Sequence, residues 1–559
     1  MQQTLLRYFD DELAYLRKGM QRFAKQYPQV AASLNLNSRE MEDPQVTRLL
    51  EGFALLSSRT RCHQDELFTE LNAALLDALF PHYRAPIPSM SVIALQANPS
   101  LQTVSTLARG EQVETLAVAG MPLVFSTCYA VDLTPVTIST AHFAHEVNTF
   151  QLTLSSLDPD VKFSDMEIKK LRFYINEQDI LGENIYQALL SHCDTVQFDN
   201  GPNLPANKII SPVGFNEDEA LLPWDNISAP VNRLLSEYFS FKAKFMFFDV
   251  SLQSSSLPDS NQLRITFNLK KVMPASFRFV NTSSFSLNCT PVINLFQKEL
   301  EPVAVDNQHY QYPLLIDKRY PESYEVHTVC KVIDISDSGA PNQLPRLYGQ
   351  DNALISQRHW HVVRRYNTLN SHEISTCYIR LADTKEKNDN TVLDIQATCF
   401  NDNLPAQLDL SSQEANLQLV NASLAVDKIQ FLLQPTRVQR QQQNLSEQDQ
   451  LTLQIANNRL ALTDQHQASQ YLRTILNACD LSNGQKADMV TNVIPEQVIL
   501  RSGNSLLSPF IYGTKLHVYL KKSFFEFCSR YLFTQVLQQS FTLDININSR
   551  VEWDFIDAE

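Results

Sequence analysis

The stretch "LFPHYRAPIPSM" at residues 79–90 sets three prolines within eight positions, where the spacing of apolar residues changes. Before it they recur every three or four residues; after it they alternate. Proline fixes its own φ and restricts the residue before it, so this is a stiff join and not a loose linker. The chain must therefore combine a helical part with a strand-built part.

In the helical part, Leu5, Leu6, Phe9, Leu13, Leu16, Met20 and Phe23 form one stripe over residues 4–26. Burying seven such side chains stabilises by roughly 10–20 kcal/mol as an upper bound, which a lone helix cannot realise. Tyr27-Pro28 ends this helix. Asp43-Pro44 starts the next, with an N-capping carboxylate before a first-turn proline. Val46, Leu49, Leu50, Phe53 and Leu56 form one stripe there, and Leu67, Leu71, Leu75 and Leu79 another. Between them "SSRTRCHQDE" (57–66) is almost wholly polar. Either two helices meet at this gap or one helix of about 55 Å crosses it. Such a pattern calls for neighbouring helices, including those of another chain. The candidate interface is Leu5, Phe9, Leu13, Leu16, Met20, Phe23, Leu49, Phe53 and Leu56, with Arg59 and Arg61 as donors to a neighbour's acidic groups.

Beyond residue 90, "SVIALQANP", "TFQLTLSSL", "KLRFYINEQ", "QLRITFNLKK" and "YEVHTVCKVIDI" alternate apolar and polar residues and read as strands. From about residue 467 the two periods mix, with "SQYLRTILNAC" helical and "KLHVYL" and "FTLDINI" extended. Polar breaks at 251–262, 384–390 and 436–450 mark loops or boundaries. The expected fold class is α+β and multidomain. Its expected parts are a helical bundle segment (1–85), two β-rich domains (86–255 and 256–440) and a mixed α+β C-terminal domain (441–559).

Glycine narrows the function. There are twelve in 559 residues, no two closer than ten positions. The GxGxxG, GxxxxGK[ST] and GxSxG patterns are thus absent, and with them the backbone that cradles phosphates or presents a nucleophile. A net charge of −15 opposes nucleic-acid binding. Nine scattered cysteines form no CxxC pair or disulfide framework and fit a reducing, cytosolic setting. No apolar run reaches the length of a membrane span. Asp10, Asp11 and Glu12 stand where a signal peptide needs an apolar core, so neither export nor membrane insertion is expected.

The candidate chemistry is thin. His82-Tyr83-Arg84 in the join could act as acid, hydroxyl donor and anion clamp, but packing and pairing near a helix C-terminus explain the trio better. His142 and His145 beside Glu146 have the wrong spacing for HExxH and sit in an extended stretch. His359 and His361 share a strand face, yet two residues do not make a ligand set unless His372-Glu373 folds back to them. "EYFSFKAKFMFFDV" (237–250) holds six aromatics, a pattern of core or interface more than of a sugar or lipid surface. No catalytic, cofactor or metal site is expected. Because the chain carries 61 carboxylates, a cytosolic β-rich carbohydrate-active enzyme stays open as the alternative.

Several blocks together resemble the TssF family (also called VasA or ImpG), a baseplate subunit of bacterial type VI secretion. They are "YFDDELAYLRKGMQRFAKQYPQVAASL", "DPQVTRLLEGFALLSSRTRCHQDELFTELNAALLDALFPHYRAPIPSM", "LARGEQVET", "LLPWDNISAPVNRLLSEYFSFKAKFMFFDV" and "NCTPVINLF" followed by "YEVHTV". The resemblance implies a non-enzymatic cytoplasmic scaffold without cofactors, assembled near the inner membrane face. Two copies would join one TssG-like subunit in a wedge, with TssK-like and TssE-like subunits attached, around a spike hub and under a contractile sheath.

Overall fold

A computed structural model describes the chain outside residues 1, 34–43, 80–84, 117, 119, 178–179, 224–229, 253–256, 307, 322, 336–341, 348–357, 368–373, 384–390, 422, 441–461, 463, 481–485, 502–509, 527–528, 543–549 and 559. The chain divides into two compact units, one built on Met1–Ala78, the other on Leu79–Gln442 and Ile455–Glu559.

The first unit is helical: α1 (Gln2–Gln26), α2 (Pro28–Ser33) and α3 (Pro44–Leu79). α1 stops at the residue before Pro28, as the helix-breaking effect of proline on its predecessor requires. α3 runs unbroken through the polar gap for 36 residues, about 54 Å. That gap contains no glycine or proline. Two of its hydroxyls bond back into the helix instead, Ser58 Oγ to Leu55 O at 2.8 Å and Thr60 Oγ1 to Leu56 O at 3.0 Å. His82, Tyr83 and Arg84 lie outside the described residues.

The second unit is strand-rich. A closed barrel runs in the order Met90–Ala97, Cys289–Ile293, Val124–Thr127, Gln112–Thr115, Leu417–Leu419, Val426–Phe431. Ile93, Leu95, Val113, Phe125, Val292 and Ile429 fill its core. A five-stranded sheet (Leu204–Pro205, Cys193–Phe198, Gln262–Leu269, Thr149–Ser156, Val136–Ala144) and a four-stranded sheet (Ile210–Pro212, Phe247–Ser251, Lys170–Ile175, Phe285–Leu287) share a second core. With them pack α4 (Ile180–Ser191), α5 (Pro230–Ser240), α6 (Ala468–Cys479) and α7 (Arg530–Thr542). A third core lies under strands between Phe296 and Phe400, including Glu325–Asp334 and Thr391–Phe400. Along Thr391–Phe400 burial alternates residue by residue, the period-2 pattern of its sequence.

Two features are not written in the spacing of apolar residues. The barrel takes strands from both sides of residue 255, and α6 and α7 bury Leu472, Ile475, Phe533 and Leu537 in the core of the 136–285 sheets. "FTLDINI" is corrected in part: Phe541 and Thr542 close α7, where Phe541 is buried, and 543–547 lie outside the described residues.

The described end of the proline join is held by a second segment. Ile87 and Gln439 exchange backbone hydrogen bonds of 2.9 and 3.0 Å, and Met90 N donates to Thr436 Oγ1 at 3.0 Å. Next in sequence, Arg440 donates to Glu325 and, at 2.6 Å, to Asp402 Oδ1, with Ser375 Oγ donating to Glu325 Oε2 at 2.7 Å. Glu325 is only 2% exposed, so removing its cation strands a buried charge. Arg440→Met should destabilise the second unit by about 3–5 kcal/mol, read as an earlier urea transition. The double variant Arg440→Met/Glu325→Gln should recover part of that loss; a double variant worse than the sum of the singles would contradict the pairing.

Candidate partner interface

Residues of α1 and α3 divide into those that hold this helical unit together and those that face outward. Ala54 and Ser58, one turn apart on α3, are fully buried. Beside them Ser57 Oγ donates to Glu12 Oε2 at 3.0 Å and Arg61 Nη1 to Glu12 Oε1 at 2.9 Å. These two bonds hold the Glu12 carboxyl below the usual carboxylate range, Arg61 contributing most. Part of the polar gap is thus satisfied within the chain: Arg61 finds its acceptor on α1. Arg59 is exposed.

The large apolar residues of α3 face the other way. Leu49, Phe53 and Leu56 are 75%, 62% and 64% exposed. On α1, Phe9, Leu13, Leu16 and Met20 are half-buried and Phe23 is exposed, as are Leu6 and Tyr15. The side chain of Leu5 lies outside the described residues. The expected stripe is therefore split, because Leu50 turns inward with Ala54 while its neighbours remain in solvent. Sequence periodicity does not single out Glu12, Ala54 or Ser58. The readable signal is the small pair at i and i+4, which lets another helix approach closely.

In the second unit the reactive residue types are occupied by structure. The stretch 237–250 is core: Phe245, Phe247 and Phe248 are fully buried, and Phe173 stacks on Phe248 with centroids 5.3 Å apart. Within it Lys244 donates to Glu237, both fully buried, and burial pulls the Lys244 ammonium below its usual value. Arg172 grips Asp249 through Nε at 2.7 Å and Nη2 at 2.9 Å and reaches Glu219 Oε1 at 3.4 Å. Glu219 Oε2 accepts from the amide of Gly214 at 2.8 Å. Gly214 has φ +102°, and a side chain there would meet Tyr129 Oη at 2.9 Å. These carboxylates serve as anchors for backbone and cations.

The histidines follow the same logic. His142 and His145 are exposed at the end of a hairpin strand. His359 and Trp360 are buried, the Trp360 indole N–H donating to Leu344 O at 2.9 Å; His372 and Glu373 lie outside the described residues. His327 is pushed down to about 3 by burial and by Arg364, and so is held neutral. Burial pushes the Cys128, Cys193, Cys399 and Cys479 thiols up to about 12, away from nucleophilic thiolate. Among the described residues no three His, Cys, Asp or Glu side chains are grouped to hold a metal. A cavity of ≈ 20 Å³ lined by Asp132, Lys170, Arg172 and Asn288 has room for about one water and a single carboxylate in its wall. No helix among the described residues is long and apolar enough to cross a membrane.

The family profile described as "Type VI secretion system, TssF" matches residues 1–557. The type VI secretion system component TssF1 of Pseudomonas aeruginosa is 26% identical over 520 residues, 85% of this chain and 83% of that protein. In fold, the chain is similar to a chain of the TssK-TssF-TssG baseplate subcomplex solved by cryo-electron microscopy, with TM-score 0.75, 20% identity and coverage of 92% of this chain and 96% of that one. It is also similar to a chain of the baseplate complex from the type VI secretion system, with TM-score 0.59, 21% identity and coverage of 99% and 97%.

The Glu12 contact makes a signed prediction. A carboxyl held below its unfolded value contributes stability above pH about 4.5 and loses it as pH falls through the folded value. Arg61 is 57% exposed, so screening keeps the effect below about 1 kcal/mol. Between pH 6 and 3.5, the protection of α1 and α3 amides against hydrogen exchange, taken relative to the intrinsic rate at each pH, should fall more in the wild type than in Glu12→Gln. An equal fall in both would count against the contact.

Proposed function

The chain belongs to the TssF family of type VI secretion components, and from that premise we propose that it is a structural wedge subunit of a baseplate, not an enzyme. Its partners are a TssG-like and a TssK-like subunit, in line with the subunits named in the cryo-electron microscopy subcomplex of similar fold. We extend this to a TssE-like subunit, a second copy of the chain per TssG-like subunit, and a place beneath the sheath around the spike hub. The setting is the cytoplasm, at the inner membrane face.

The observation that carries the reading is the exposed apolar face of α3. Leu49, Phe53 and Leu56 stand in solvent on a 36-residue helix. Covering them stabilises a complex by about 1.5–3 kcal/mol each as an upper bound, part of which offsets the entropy lost on association. A partner helix laid along α3, with α1 beside it, completes a bundle that one chain leaves unfinished. Leu5, Phe9, Leu13, Leu16, Met20 and Phe23 contribute from the α1 side, and Arg59 supplies an exposed cation at the polar level. The second unit pairs several buried charges inside, Arg172, Lys244 and Arg440 among them.

Because Leu49 and Phe53 are exposed in the single chain, Leu49→Asp/Phe53→Asp should leave its melting temperature almost unchanged. The same variant should weaken binding to a co-expressed TssG-like subunit at least 100-fold, since unpaired carboxylates in a desolvated seam are costly. Lys18→Asp, an exposed control on α1, should bind like the wild type. The wild-type chain made alone should give less soluble protein than the co-expressed pair and melt at a lower temperature. Full co-purification of the double aspartate variant would reject α3 as the contact.

A further inference from the structure

Proteins protect the edges of their sheets, because a row of unpaired N–H and C=O groups invites another strand. This chain does so almost everywhere among its described residues. The barrel is closed and has no edge. Most other edge strands are two to four residues long. Val136–Ala144 and Val490–Arg501 are longer, but each carries a register shift, and the second also holds Pro495. Arg358–Asn367 is covered partway, where the Trp360 backbone exchanges hydrogen bonds with Pro345 and Leu347.

Arg550–Ala558 is the exception. It runs parallel to Phe510–Lys521 in unbroken register for nine residues, and it contains no proline, glycine or lysine. Val490–Arg501 takes the other side of Phe510–Lys521, so Arg550–Ala558 forms the margin of this sheet. Arg530 closes the far end by donating to Phe555 O and to Asp557. Among the described residues, nothing else outside the sheet hydrogen-bonds to the backbone of Val551–Phe555.

The two faces of the strand select its neighbour. Trp553 and Phe555 pack on the core, beside the buried Leu516 and Val518. On the opposite face Glu552 lies across from Lys515, and Asp554 across from His517. The His517 ring sits 3.1 Å from Asp554 Oδ2 and 3.1 Å from Glu496 Oε2, and Lys515 Nζ is 3.4 Å from Asp554. This face thus sets three carboxylates against one lysine and one histidine. A second copy laid edge to edge would bring Glu552 and Asp554 against their own kind, and like charges across a strand pair are unfavourable. A cationic strand meets the reverse.

We propose that the outer edge of Arg550–Ala558 receives an extended segment of another baseplate subunit, one that carries Lys or Arg at alternate positions. Main-chain hydrogen bonds hold the added strand, and its cations settle beside Glu552 and Asp554. The inference rests on the reading of the chain as an assembly component. It deepens that reading by assigning a contact on the second unit, remote in sequence from the exposed residues of α1 and α3.

Hydrogen exchange reads the edge directly. Amides along a strand point alternately to its two sides, so those of Val551–Phe555 that face outward should exchange fast in the isolated full chain. In the complex co-expressed with TssG-like, TssK-like and TssE-like subunits they should slow by roughly 10-fold or more. Glu552→Lys should leave the melting midpoint of the isolated chain unchanged and lose that slowing in the complex, with Glu552→Gln intermediate. Unchanged exchange over Val551–Phe555 in the assembled complex would overturn the proposal. Slowing that appears in the isolated chain as its concentration rises would assign the edge to a second copy and overturn it as well. So would slowing on assembly that Glu552→Lys leaves intact, since the added strand would then not be cationic. A wild-type chain that binds none of these subunits removes the functional reading and this inference together; the other outcomes leave that reading standing.

Discussion

Strand Met90–Ala97 is the constraint on which the second unit depends. It pairs with Cys289–Ile293 on one side and Val426–Phe431 on the other, and all but one of its residues are buried. A strand covered on both faces and both edges has no freedom of register, since a slip of one residue would turn every side chain over. Its placement forces the ends of the strand-rich segment together. The bonds between Ile87 and Gln439 and the ion pairs of Arg440 follow from that closure.

The two units treat unfavourable groups in opposite ways. The strand-rich unit buries charge and pairs it: Arg172 with Asp249 and Glu219, Lys244 with Glu237, Arg440 with Glu325 and Asp402. Each pairing fixes orientation more than it adds net stability, because desolvation offsets much of the attraction. The helical unit instead leaves Leu49, Phe53 and Leu56 in water. One unit thus holds several buried charges against each other, and the other holds large apolar residues in solvent.

Much of this was legible in residue spacing. The stripe over residues 4–26, the stop at Tyr27-Pro28 and the change of period after residue 79 match the helices and the first barrel strand. The alternating segments 149–156, 262–269 and 325–334 are strands. What spacing does not carry is which strand meets which. The union of Met90–Ala97 with Val426–Phe431, and the burial of α6 and α7 with the 136–285 sheets, depend on shape across hundreds of residues. The candidate interface was legible only as apolar spacing on α3; that Ala54 and Ser58 are buried while Leu49, Phe53 and Leu56 stay exposed was not. Arg61 looked outward from its polar neighbourhood, although Glu12 had only to lie across from it.

The distance along the chain between the partners of the barrel also sets a clock. Met90 and Thr436, which meet beside the closure, are 346 residues apart. At about 5–20 residues per second, ribosomal synthesis separates them by roughly 20–70 s. Throughout that interval α1 and α3 are already made, and their outward leucines and phenylalanine are available to whatever collides first. For this chain the order of events in the cell is fixed by topology. The helices with exposed apolar residues are finished early and the barrel late, so Leu49, Phe53 and Leu56 are in solvent on the nascent chain before the barrel shuts.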